Sequence, residues 1–271
     1  TLKTFRGVIH CHSKLSFDSS GSFEDIAGAA RRAGVDFVIM SDHPGPGVPE
    51  SQPRGFLGPV LFIPGIETAH LLVINVTRRM REGGAADVAR QVAAQGGLTF
   101  VAHPELFKEW DAPGLAGTEI HNMHSDLSDE YLPWAVTKAL WSAGKDPLQA
   151  LAALLDFPGP AVSHWDAQSR SRPFVGIAAN AAHQNIRVLG KQLDPYDLSF
   201  RFVNTCVLAP RLDAASILEA RRVGRTYVAF RAFGETDVLQ IDLPAVGPGR
   251  AVLREWRPSR VERQGRQART L

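Results

Sequence analysis

Histidines and carboxylates recur where this sequence stops reading as strand. His10 and His12 flank Cys11 at the end of the strand-like run 5–10. Side chains alternate along an extended chain, so both imidazoles are expected on one face and the thiol on the other. His43 follows Asp42 just after the apolar run 35–40, Glu67 lies three residues beyond the run 60–64, and His103 directly follows the run 98–102. A single histidine at a strand end is ordinarily a polar residue with a satisfied partner. Five such positions in one chain are harder to explain one by one. Imidazoles with carboxylates, and no paired cysteines, form a donor set suited to Zn, Mn or Fe rather than a cysteine-rich structural zinc. The chemistry that such a set serves is hydrolysis.

The elements that must position these residues follow from pattern. The run 5–10 reads as a strand, and Ser22-Phe-Glu-Asp25 reads as a capping box opening an Ala-rich helix to Arg32 that Gly34 stops. The run 35–40, apolar apart from Asp36, reads as a strand covered on both faces. Further strands are predicted at 60–64, 71–76, 98–102, 118–122 and 174–179, with helices at 85–94, 131–142 and 147–155. The Pro-rich stretch 44–59 reads as a long loop between a strand and a helix. Strands alternating with helices favour a parallel barrel or a doubly wound sheet, whose strand C-termini share one rim. After Asp194 the texture changes to strands at 200–208, 226–230 and 238–243 around a helix at 214–223.

Composition removes several classes. The chain has 271 residues, enough for one large core, and no apolar run approaches a bilayer span. Its 30 Lys and Arg against 28 Asp and Glu give a net charge of +2, with no global field to draw nucleic acid to the surface, and two cysteines cannot make a disulfide framework. Seven arginines between Arg250 and Arg269 read as a solvated tail rather than a nucleic-acid arm. No basic head followed by an apolar stretch opens the sequence, so a targeting segment is expected to be absent or removed. The compartment stays open, with a cytoplasmic location favoured. No membrane and no nucleic-acid partner is expected, and the oligomeric state is left undetermined.

The run Gly7-Val-Ile-His-Cys-His12, then Asp18, the helix, and Val38-Ile-Met-Ser-Asp-His43 resembles the opening of the polymerase and histidinol phosphatase (PHP) family. The resemblance continues through Gly65-Ile-Glu67, His70-Leu-Leu72, Ala102-His103-Pro104 and the segment 176–183, in the family's order, over about two thirds of the chain. It implies a distorted seven-stranded (β/α) TIM-like barrel in residues 1–195, with residues 196–271 as a small α+β extension that closes or covers the barrel. It also implies two or three divalent metal ions (Zn, Mn or Fe) at the C-terminal rim, held by His10, His12, Asp18, His43, Glu67, His70, His103 and His183. Asp42 is expected either to orient a ligand from behind or to serve a helix cap or loop, and His124 to face the substrate.

One position departs from the pattern. Ala181 in Asn180-Ala-Ala-His183 stands where the family has an aspartate. Three readings compete: an introduced substitution that silences the site, favoured because the rest of the set is intact; a natural member with a depleted site; or Asn180 serving as a weaker neutral ligand. The implied activity is that of a metal-dependent phosphoesterase using a metal-activated hydroxide on a small phosphorylated substrate, impaired in this form by Ala181. The runs Phe200-Arg-Phe-Val-Asn-Thr205 and Gly224-Arg-Thr-Tyr-Val-Ala229 resemble a branch that includes carbamate and aryl-ester hydrolases, which supplies an alternative. A non-catalytic or inactivated metal-binding domain is the reading from another class.

Overall fold

The computed structural model describes residues 2–123, 148, 152, 158–185, 187–188, 191–192 and 194–231. The chain opens with β1 (Lys3–Cys11), α1 (Phe23–Ala33) and β2 (Phe37–Met40). Ser22 caps α1 in a reciprocal capping box with Asp25, and Gly34 ends it in the left-handed conformation, as the sequence predicts. Next come β3 (Gly55–Leu57), β4 (Val60–Ile63), β5 (Gly65–Thr68), β6 (Leu71–Ile74), α2 (Ala85–Ala93), β7 (Leu98–Val101) and β8 (Leu115–Asn122). Then follow α3 (Gly159–Ser169), β9 (Val175–Ala179), the short pair β10 (Arg187–Val188) and β11 (Lys191–Gln192), α4 (Tyr196–Phe202), β12 (Val203–Ala209), α5 (Ala214–Arg222) and β13 (Thr226–Phe230).

These strands make a mixed α/β fold with two main sheets, ordered β13-β12-β1-β2-β4-β3 and β5-β6-β7-β8-β9. Parallel ladders join β1 to β2 and β2 to β4 in the first, and β7 to β8 and β8 to β9 in the second. Among the described residues the ladders do not close into the single barrel that the sequence resemblance implies. The reason lies at the edges. Over Lys3–Gly7 one edge of β1 is taken by β12, and the free edge of β4 is taken by β3. The two sheets meet instead through short backbone contacts, with Asn180 N–H on the Ile9 carbonyl (2.8 Å), Ala182 N–H on the His10 carbonyl (3.2 Å) and His12 N–H on the Ala182 carbonyl (3.0 Å) at one junction, and Glu67 N–H on the Ser41 carbonyl (3.2 Å) at the other. Between them lies one apolar core in which Ile9, Ile39 and Ile63 of the first sheet pack with Leu72, Phe100 and Ile177 of the second.

Three local readings need correction. The stretch 44–59 does not join a strand to a helix, because it contains β3, which pairs antiparallel with β4. Residues 200–202 end α4 rather than opening a strand, the helix starting behind Pro195, whose fixed φ suits a helix start. Helix α3, not expected from pattern, carries almost no amphipathic signal and has no buried residue. The predicted helices at 131–142 and 147–155, the strand at 238–243, the arginines beyond 249 and His124 lie outside the described residues, apart from single positions at 148 and 152. No helix among the described residues is long and apolar enough to cross a membrane.

One buried charge carries a stability prediction. Arg221 on α5 is fully buried, its guanidinium 4.7 Å over the Phe100 ring, and none of its nitrogens has a hydrogen-bond partner. Burial pulls its pKa down to about 9. An unpaired buried cation is costly, and an unbranched apolar side chain of similar length removes that cost. Arg221→Met is therefore expected to raise the thermal midpoint by about 3 °C or more in scanning calorimetry. A lower midpoint would show that the ring contact outweighs the desolvation.

Candidate metal centre

The site forms where the C-terminal ends of the parallel strands converge. A break in regular alternation places its first two residues. In β1, His10 adopts a left-handed backbone (φ 66°), and the pairing with β2 shifts register between Ile9 and Cys11. That bulge turns Cys11 outward to pack with Val8, while His10 and His12 stand together with ring centroids 5.1 Å apart. The two imidazoles thus share a region as expected, but through a bulge rather than through simple alternation. His103, two residues past β7, is also left-handed (φ 49°), and such strained non-glycine residues are characteristic of functional sites.

Two groups of donors result. His10, Glu67 and His103 form one, and His12, Asp18, His43 and His183 the other; within each, one donor atom per residue lies within 4.8 Å of every other. Glu67 joins them. Its Oε2 is 2.8 Å from His10 Nε2, 3.3 Å from His12 Nε2 and 3.8 Å from His43 Nε2, and its Oε1 is 3.1 Å from His103 Nε2. Asp18 Oδ2 reaches His43 Nε2 at 3.1 Å and His183 Nε2 at 3.2 Å. Burial alone would raise both carboxyls. His183 and His43 nevertheless hold Asp18, and His10 with His103 and His12 hold Glu67, far below the usual carboxylate range.

The arrangement fits a divalent cation. Asp18 Oδ1 is buried without a hydrogen-bond partner, and His12 Nε2, buried 3.3 Å from Glu67 Oε2, makes no well-formed hydrogen bond, which native interiors seldom tolerate. Ser16 Oγ lies 3.1 Å from His12 Nδ1. With the ring proton on that nitrogen and donated to the hydroxyl, the Nε2 lone pair is left for an ion.

Seven of the eight residues named from the sequence as ligands are brought together. His70 is not: it sits exposed at the turn of the β5–β6 hairpin, with only Thr68 and Ala69 between it and Glu67. Asp42 is buried behind the site and touches no imidazole. Its carboxylate accepts from Ser13 N–H (2.5 Å) and Gln52 Nε2 (2.8 Å), so it fixes the loop after His12 rather than a ring. Asn180 does not reach in as a neutral ligand. Its amide donates to the Ser199 and Val203 carbonyls, and its oxygen accepts from Ile9 N–H.

Glu119 is the residue that sequence reasoning missed. It is fully buried on β8, accepting from His10 Nδ1 at 2.5 Å through Oε1 and from His103 N–H (3.1 Å) and Asn122 Nδ2 (2.9 Å) through Oε2. It thereby fixes the tautomer of His10 so that Nε2 faces Glu67. The available signal was a lone carboxylate inside an otherwise apolar strand that ends in His121 and Asn122. Likewise His183 Nδ1 donates to the Ala181 carbonyl (2.8 Å), and Ala181 is buried and left-handed at φ 40°.

The unlike environments of the imidazoles predict a titration. Hydrogen bonds to Glu105 and Glu67 push His103 up to about 9, whereas burial pushes His12 down to about 3. Below the ordinary value of 6.5 the stabilisation from His103 is fully present, and it is lost as pH rises through about 9. That from His12 is present above 6.5 and lost as pH falls through about 3. Proton NMR of the metal-free protein should show both transitions. Cation uptake must displace the His103 proton, so calorimetry in buffers of different ionisation enthalpy should detect proton release at pH 7. Two ordinary transitions near 6.5 would refute the geometry.

No protein-family model matches the chain, and no curated protein matches it. Solved structures do. A two-domain protein from Bacteroides vulgatus ATCC 8482, containing a predicted PHP-like metal-dependent phosphoesterase, superposes with a TM-score of 0.53 at 18% identity over 84% of this chain. The chain spans 65% of that protein's length. PsfC from Pseudomonas syringae PB-5123 superposes with a TM-score of 0.50 at 13% identity, over 84% of this chain and 93% of its own. Endonuclease Q, bound to a 27-mer duplex with an abasic lesion at the active site, gives 0.46 at 14% identity, over 83% of this chain and 58% of its own. At these identities the first two likenesses concern the fold.

Proposed function

We propose that this protein is a PHP-type metal-dependent hydrolase that cleaves a small phosphorylated substrate. His10, Glu67 and His103 would hold one divalent ion and His12, Asp18, His43 and His183 a second, with Glu67 between them and Glu119 behind His10. Residues 1–195 hold every proposed ligand, and among the described residues after 195 β12 pairs with β1. The supporting observation is the pair of donor groups joined through one carboxylate, with Asp18 Oδ1 buried and unsatisfied and His12 Nε2 buried without a well-formed hydrogen bond. The phosphoesterase fold of the Bacteroides protein supports the same reading.

Such ions, when bound, supply Lewis acidity toward a phosphoryl oxygen and lower the pKa of water toward neutrality. The protein's own share is positional and electrostatic. Glu119 and the Ala181 carbonyl hold His10 and His183 in their tautomers, and Asp42 pins the loop that carries His12. Only Asp18 and Glu67 place carboxylates within the two groups, so a site loaded with two divalent ions is net positive and suits an anionic ester.

Carbamate or aryl-ester hydrolysis is the second reading, and one observation favours it. The cleft of about 400 Å³ beside Asp18 is lined by Phe17, Asp18, Ser19, Ser20, Gln184 and Asn185, with no lysine or arginine among these described residues. Arg54 and Arg172 spend their guanidinium groups on the carbonyls of Val76 and of Ala112 and Trp110. Purified protein loaded with Mn or Zn should release product from an aryl phosphate faster than from the matching aryl carbamate. The reverse ratio moves the assignment to carbonyl chemistry, and metal-independent or absent turnover of both sinks it.

A further inference from the structure

Phe17 is 88% exposed, the most exposed of the large apolar side chains among the described residues. Its position is not that of a loose loop tip. Ser16 Oγ accepts from His43 N–H at 2.8 Å, and Asn185 Nδ2 donates to the Asp18 carbonyl at 2.7 Å, so the residues on both sides of Phe17 are tied down. Ser19 Oγ donates to the His183 carbonyl and Ser20 Oγ to the Gln184 carbonyl, each at 2.7 Å. The residues on either side of Phe17 therefore hold the ring in place at the surface.

The ring is also oriented. It stacks on the imidazole of His43 with centroids 5.0 Å apart and planes 21° from parallel. The imidazole overlaps only part of the ring, which otherwise stands open and lines the cleft with Asp18, Gln184 and Asn185. A planar group lying on the open face would sit one aromatic layer from His43. Phe17 adjoins Asp18 in the chain and His43 in space, so a ring held on it lies beside the donor group that contains both.

We infer that Phe17 is a stacking platform for a planar aromatic or heteroaromatic group on the substrate, so the ester cleaved at the metal centre carries an aryl substituent. The inference rests on the proposed metallohydrolase reading and narrows its substrate class. An alkyl or polyol substituent would gain only apolar contact from Phe17, whereas a flat ring gains the offset-stacking geometry as well. A bare phosphate would leave the ring as exposed as before.

Phenylphosphonate and methylphosphonate, which cannot be hydrolysed as esters, separate the two levels of the claim. Calorimetric titration into the metal-loaded full chain should show phenylphosphonate binding more tightly than methylphosphonate. Phe17→Ala should weaken phenylphosphonate by roughly tenfold and leave methylphosphonate within about twofold. Phe17→Tyr should keep the preference, and Phe17→Leu, which keeps apolar area but not flatness, should lose most of it. An exposed side chain is not needed for folding, so equal metal content and thermal midpoint across the variants serve as the control. If both phosphonates bind and neither responds to Phe17→Ala, or if Phe17→Leu retains the preference, the platform is refuted while the metal centre stands. If neither phosphonate binds the loaded wild type, the anion site and the platform fail together.

Discussion

Glu67→Gln is expected to empty the site. Purified with saturating Mn or Zn and then desalted, the variant should retain less than one ion per chain where the unaltered protein is expected to retain two. Any metal-dependent hydrolysis should fall by more than the roughly 100-fold that losing an outer partner of a ligand costs. The reason is geometric: one carboxylate approaches His10, His12, His43 and His103, drawn from both donor groups, so no other single change touches as much of the site. Glutamine keeps the shape but removes the charge, and it turns an amide N–H₂ toward imidazoles that must present lone pairs to a cation. Without metal, the same change should reshape acid unfolding. Glu67 is held below its ordinary value of 4.5, so its stabilisation is present above that pH and lost as pH falls below it. The variant should lack that component of the pH dependence. Unchanged metal content would remove Glu67 from the centre.

Ala181→Asp is expected to act in the opposite direction. The resemblance to PHP proteins places a carboxylate at this position, two residues before His183, and the structure places Ala181 buried beside the second donor group through its hydrogen bond to that histidine. The backbone there is left-handed, a conformation that aspartate tolerates better than alanine, so the substitution does not fight the chain. A third carboxylate in a site rich in imidazole should tighten the weaker ion by roughly tenfold to 100-fold, the scale on which supporting groups tune metal affinity. Competition with a chromogenic chelator reads this directly. A gain in affinity with a gain in hydrolysis marks the present chain as an enzyme limited by its metal occupancy. A gain in affinity with no turnover of phosphate, phosphonate ester or carbamate supports a binding domain instead. Unaltered affinity shows that a side chain at 181 does not enter the site.

The sequence made most of the ligand set legible, because strand C-termini are marked by the end of an apolar run and the chemistry-bearing residues sit just past it. His43, Glu67 and His103 could be found in that way, and α1 could be bounded from Ser22, Asp25 and Gly34, since capping is a local matter of hydrogen bonds within a few residues. Glu119 was hidden for the converse reason: it lies within β8 rather than past its end, and its partner His10 is 109 residues away. His70 matched the family's His-Leu-Leu run in one dimension, with only Thr68 and Ala69 between it and Glu67. A tight hairpin instead points its turn out to solvent.

What the sequence alone determined, then, is a mixed α/β chain with imidazoles and carboxylates concentrated at strand ends, because residue type, periodicity and caps act over a few positions. The tertiary structure decided the rest. It broke the expected barrel into two sheets by filling the edges of β1 and β4, turned His10 inward through a bulge, and chose Glu67 as the carboxylate between two donor groups. Those outcomes depend on which edges are already paired and which side chains meet across the core, and such long-range competition leaves no mark in local pattern.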